Sequence, residues 1–221
     1  MQNNVIAGAN AESILSTNKL IRNTYILLSM TLLFSAFTAA ISVLLRMPPS
    51  TYLFSIGGAF LLMWFVLPKK ANSSSGIGVV FLITGLLGFS LGPILNMYLA
   101  LPNGPQIVAT ALGGTGIIFL GLSGYALTTK KDFSFLGGFL FVGFLVVLGA
   151  AILNIFMVIP ALSLALSAAI VMLMSGFILF DTSRMVNGGI DNYVLATIQL
   201  YMNIFNLFIS LLHLLGFSRS D

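Results

Sequence analysis

The sequence predicts an all-α integral membrane protein with seven transmembrane helices, and three observations carry that prediction. Of 221 residues, 58% are hydrophobic and only 6% charged, whereas a soluble domain carries about a quarter charged residues. Nine Lys and Arg, five Asp and Glu and one His cannot clothe a globule in water, so the lipid bilayer is its solvent and first partner. The apolar residues also gather into runs close to the ~20 needed to cross the hydrocarbon core as a helix. These runs are continuous rather than alternating, which excludes the strands of a membrane barrel.

The runs cover residues 24–45, 52–67, 77–99, 107–127, 133–159, 161–180 and 193–217. The first follows a polar segment, 1–23, that lacks a basic start; the run is also too long for the apolar part of a cleaved signal, so it reads as an uncleaved span behind a cytosolic tail. The second is short and lies between Pro48-Pro49 and Pro68. The third contains Gly92-Pro93, where the proline removes a donor and obstructs the carbonyl four residues back, so a kink is expected. The fourth starts beside Pro102 and Pro105 and stops at Lys130-Lys131. The fifth and sixth form one apolar stretch that Pro160 must fold back. The seventh ends before a short tail, 218–221.

Basic residues near span ends stay on the cytoplasmic side. With the N-terminus inside, Lys19, Arg22, Lys69, Lys70, Lys130, Lys131 and Arg184 lie inside, and only Arg46 and Arg219 outside. An odd number of spans then puts the C-terminus outside, which is the periplasm in a bacterial inner membrane. The same scatter of single and paired charges between apolar runs excludes a nucleic-acid footprint. The absence of cysteine excludes disulfides, thiol catalysis and iron–sulfur clusters. Loops this short leave no room for a soluble domain, and no cofactor is indicated. Close-packing spacings such as Gly88-xxx-Gly92 suit tight helix contacts.

Polar groups within the bilayer need a partner, a cavity or a function. Gln199, Asn203, Asn206, Ser210 and His213 recur at steps of three and four, one stripe on one helix face. The stripe must turn inward, either as interhelical hydrogen bonds or as the lining of an ion path. Asp181 adjoins the sixth run and reads either as an interfacial carboxylate, in contact with water or paired with Arg184 on the same helical face, or as a gating or ion-binding carboxylate. Ser123 and His213 have the residue types of an intramembrane serine protease, but their expected depths differ by roughly 15–20 Å at 1.5 Å per residue, so no catalytic residues are assigned. One His and scattered acids form no metal cluster; Asp181 is the single weak metal candidate.

Several segments resemble the Bax inhibitor family of seven-span membrane proteins. They are Lys19-Leu20-Ile21-Arg22-Asn23-Thr24-Tyr25 before a Ser/Thr-bearing first span, Thr84-Gly85-Leu86-Leu87-Gly88 through Gly92-Pro93-Ile94-Leu95, and Lys130-Lys131-Asp132-Phe133-Ser134-Phe135-Leu136-Gly137-Gly138. Phe180-Asp181-Thr182, Leu200-Tyr201-Met202-Asn203-Ile204-Phe205-Asn206-Leu207-Phe208 and Leu211-Leu212-His213-Leu214-Leu215-Gly216 resemble its last two helices. The likeness spans nearly the whole chain after the tail and is nearest to the YccA-like bacterial branch. It implies six helices around a central seventh. In calcium-leak members two aspartates on the last two helices share a proton and gate the path. Asp181 matches the first; Asn203 stands at the second, and an amide does not titrate, so that shared-proton pair cannot form. His213 stands where many members have arginine. Oxygens of Asp181 and Asn203 remain able to hold a calcium ion weakly. The YccA-like branch implies instead a non-enzymatic modulator of FtsH, a membrane-anchored ATP-dependent protease, with the cytosolic tail as its handle.

Overall fold

The computed structural model describes the backbone of residues 2–217 and the side chains of residues 15–217; the expected tail at 218–221 lies outside the described residues. Among the described residues seven helices are long and apolar enough to cross a membrane: α1 (Gln2–Leu44), α2 (Ser50–Lys70), α3 (Ser75–Leu99), α4 (Gly104–Thr129), α5 (Leu136–Met157), α6 (Pro160–Val186) and α7 (Tyr193–Phe217).

Three of the boundaries that differ from the sequence reading have a clear local reason. Helix α1 starts before residue 24, where Leu20 and Ile21 already pack on the core; its apolar span is Leu15–Leu44. Helix α2 does not stop at Pro68. The turn Leu62–Val66 loosens to π geometry, with the Leu67 N–H donating to the Leu62 carbonyl five residues back. That register accommodates the missing proline donor and the ring's demand for space against the preceding turn, which turns a short run into a 21-residue span. Helix α6 continues past Phe180 to Val186 because Asp181, Thr182 and Ser183 are buried against neighbours that satisfy them.

The fold-back at Pro160 forms as expected. Val158 takes a left-handed conformation (φ 49°) and Ile159 an extended one, with Pro160 opening α6, where a missing N–H is harmless. The Asn154 side chain closes this turn by accepting the Ile159 N–H at 3.0 Å. Helix α3 stays helical through Pro93.

Helix α7 is the most buried span and packs against α1, α3, α4 and α6. The other two helices form an outer layer: among the described residues α2 docks on α3, and α5 on α6. Apolar side chains such as Phe139, Phe156 and Trp64, more than 70% exposed, therefore face lipid. The most extensive helix contact is α1 on α3. A Cβ at Gly88 would meet the Ser35 carbonyl oxygen, and one at Gly92 the Ser42 side chain.

One end of the bundle gathers the loops that carry most of the basic residues. Ser183 Oγ accepts the Phe133 N–H at 2.8 Å and donates to the Lys131 carbonyl at 3.0 Å, tying the α4–α5 loop to α6. Asn192 precedes α7 and caps it, its Oδ1 accepting the Val194 and Leu195 N–H groups at 2.8 and 3.1 Å. Its Nδ2 donates to Ala71 O and Asn72 Oδ1 at 3.1 and 2.6 Å. Asn192→Ala removes both the cap and the bridge, with an expected cost of about 1–2 kcal/mol, read as a lower midpoint in denaturation from detergent micelles.

In the α4–α5 loop Asp132 accepts from the Ser134 N–H and Oγ at 2.8 and 2.6 Å, and these bonds hold its carboxyl below the usual carboxylate range. The preference belongs to the ionised form, so this turn's contribution is complete above the ordinary carboxylate pKa and fades as pH falls through the lowered value. Ser134→Ala is expected to raise the titration of Asp132, followed by carboxyl NMR.

Candidate functional site

The polar stripe of α7 faces α6, and the two helices enclose a groove of about 430 Å³. Its polar walls are Asp181 and Arg184 from α6 and Gln199, Asn203 and Asn206 from α7, with Met63 of α2 and Phe144 of α5 at its sides. Helix periodicity explains the convergence, since positions 199, 203 and 206 share a face at about 100° per residue, as do 181 and 184.

At the centre, Asn203 Nδ2 donates to Asp181 Oδ2 at 2.7 Å, and both residues are only 7% exposed. The ion pair between Asp181 and Arg184 that the spacing suggests does not form: among the described residues no Lys, Arg or His nitrogen lies within 4 Å of a carboxylate. Arg184 turns away, donating to the Gly189 carbonyl at 2.8 Å and lying over the Phe180 ring at 5.4 Å. Asn206 donates to its own helix at Met202 O, and Gln199 is exposed to the groove side. Among the described residues no three His, Cys, Asp or Glu side chains cluster. Asp181 is the one carboxylate of the groove, surrounded by amide groups whose oxygens suit a hard cation.

The stripe continues to the far end of α7 but into a separate place. His213 Nδ1 lies 2.7 Å from Ser167 Oγ, beside Asn154, which donates to Ser163 Oγ at 2.6 Å; these residues line a second cavity of about 440 Å³. Ser123 pairs with Thr182 at 3.3 Å. Thr182 and Ser167 are separated by about 22 Å along α6 at 1.5 Å per residue, so Ser123 and His213 are held at different depths and form no nucleophile–base pair.

A third polar cluster escaped the sequence reading. Tyr201 OH lies 2.5 Å from Ser35 Oγ and 3.3 Å from the Thr84 carbonyl, joining α7, α1 and α3 at a point where Thr38 donates to Gly85 O at 3.0 Å. Tyr201 sits outside the Gln199–His213 stripe, and its partners are far away in sequence, so periodicity had no signal for it. Tyr201→Phe leaves Ser35 without its partner in a buried place and is expected to cost about 1–2 kcal/mol, measured by thermal unfolding in detergent.

Comparison of the sequence with known proteins identifies its relatives. A membrane protein of Vibrio cholerae is 50% identical over 95% of this chain and 94% of its own length. The Escherichia coli protein named modulator of FtsH protease YccA is 49% identical over 95% of this chain and 94% of its own. A Pseudomonas aeruginosa protein is 47% identical over 91% of this chain and 90% of its own. The family described as inhibitor of apoptosis-promoting Bax1 matches residues 17–220. With nearly all of a seven-helix chain matched, central polar helix included, this protein belongs to the Bax inhibitor family.

Proposed function

We propose that this protein is a non-enzymatic modulator of the membrane-anchored protease FtsH in a bacterial inner membrane. The observation that carries the reading is 49% identity, over 95% of the chain, to a relative named for that role. The groove chemistry is compatible with it: a carboxylate held by an amide is an arrangement suited to fixing two helices rather than to acid–base turnover. The cytosolic handle is the N-terminal part of α1 together with the basic loops, with the N-terminus inside and the C-terminus in the periplasm. Co-reconstitution with FtsH tests this directly. The full chain is expected to slow degradation of a membrane-protein substrate, and a chain lacking residues 1–16 to lose that effect. Unchanged degradation with the full chain present rejects the reading.

A second reading, a cation leak that includes calcium, is favoured by one feature, the carboxylate-bearing groove between α6 and α7. Calcium flux into liposomes, compared between wild type and Asp181→Asn across pH, separates the two. Flux above empty liposomes that loses its pH dependence in the variant establishes the leak; flux equal to empty liposomes removes it.

A further inference from the structure

On the face of α7 turned away from the Asp181 groove lies a crevice of about 280 Å³. Helices α1 and α4 form its walls, and α7 with Leu91 of α3 forms its floor. The backbones of α1 and α4 stay apart, bridged by the rings of Tyr25 and Phe119 with centroids 6.1 Å apart. Ala36 and Leu112 stand exposed at the rim, Leu112 at 57%, while Phe205 and Phe208 deep in the crevice are buried. The mouth is therefore continuous with the lipid-facing belt of α1 and α4, where Leu33 and Ile117 are about three-quarters exposed.

The hydroxyls in the walls ask nothing of an occupant. Ser35 is paired with Tyr201, and Thr115 donates to Ala111 O at 2.7 Å. The crevice also lies midway along α1, α4 and α7, a depth that lipid chains reach and headgroups do not. An apolar space left unfilled forfeits dispersion contacts along its whole lining.

We propose that this crevice is a binding site for one acyl chain of a bilayer phospholipid, which enters sideways between α1 and α4. The site is independent of the polar groove and of either reading of function. Its occupant is selected by hydrocarbon character and slenderness, since the lining is apolar and its polar atoms are already paired.

The test uses the full chain in vesicles of phosphatidylethanolamine and phosphatidylglycerol with bromine atoms midway along their chains. A variant carrying Trp64→Phe and Phe205→Trp places its one tryptophan inside the crevice. Brominated chains are expected to quench it nearly as strongly as they quench the lipid-facing Trp64 of the wild type, which is 72% exposed, while aqueous acrylamide leaves it unquenched. A Cβ at Gly116 meets nothing within 4 Å, so Gly116→Leu fills the space without a backbone clash and is expected to abolish most of the quenching. Gly113→Leu, an exposed position on the same helix, should leave it intact. Ala36→Phe blocks from the opposite wall and serves if Gly116→Leu does not fold. Absence of quenching, quenching unaffected by either block, or quenching by acrylamide in place of the chains overturns the proposal.

Discussion

Gly88→Ala and Gly92→Ala are each expected to destabilise the protein by about 1–3 kcal/mol, although alanine is ordinarily the better helix former by about 1 kcal/mol. The sign is set by what the new methyl meets. At Gly88 it runs into the Ser35 carbonyl oxygen and the hydroxyls of Ser35 and Thr38; at Gly92 it meets the Ser42 side chain and backbone. Backbone cannot rotate aside as a long side chain can, so α1 must move off α3 along the most extensive helix contact of the bundle. In a membrane this loss is not recovered elsewhere, because helix association there rests on close packing and not on an aqueous hydrophobic effect. Gly57→Ala supplies the contrast, with no atom within 4 Å of its Cβ, and is expected to be neutral or slightly stabilising. Unfolding by increasing SDS in mixed micelles reads all three, and a neutral result at Gly92 would mean that α1 and α3 leave room for a methyl group between Gly92 and Ser42.

Asn203→Leu is expected to cost about 2 kcal/mol or more, because a buried carboxyl group loses its hydrogen-bond donor in a place water does not reach freely. The companion variant decides the cause. When Asp181→Leu is added, no polar group remains to be orphaned, and replacing both members of a buried polar pair by apolar residues of similar volume is often close to neutral. The double variant should therefore be more stable than Asn203→Leu alone. If it is instead less stable by the sum of the two single changes, the pair is not coupled and the 2.7 Å bond contributes little. The same variants divide the functional readings: modulation of a protease should survive the double change if the groove only holds α6 to α7, whereas a cation path should not.

The architecture was legible because lipid imposes a simple rule. Every backbone polar group must be satisfied within its own helix, so a run of apolar residues such as 107–127 or 193–217 has one outcome, and a proline such as Pro160 marks where one span gives way to the next. Pro68 shows the limit of that rule, since a proline ends a helix only when the preceding turn cannot relax, and the π turn at Leu62–Val66 does relax. Asp181 shows another. A carboxylate reads as an interfacial residue at the end of a span until a neighbour is known, and its neighbour Asn203 comes from a different helix.

The candidate site was legible as a list and not as an arrangement. Spacing put Gln199, Asn203, Asn206 and His213 on one face, and the structure divides that face between the Asp181 groove and the Ser167–His213 contact at the other end. By itself the sequence determined the solvent, the number of spans and which helix carries the polar seam, because composition and a period of 3.6 residues are local properties of one chain segment. Only the tertiary structure decided that Asn203 and not Arg184 holds Asp181, that Tyr201 meets Ser35, and that α1 and α4 leave a crevice between them. Those outcomes depend on the rotation and distance of whole helices, which are set by where small residues such as Gly88 and Gly92 let backbones approach.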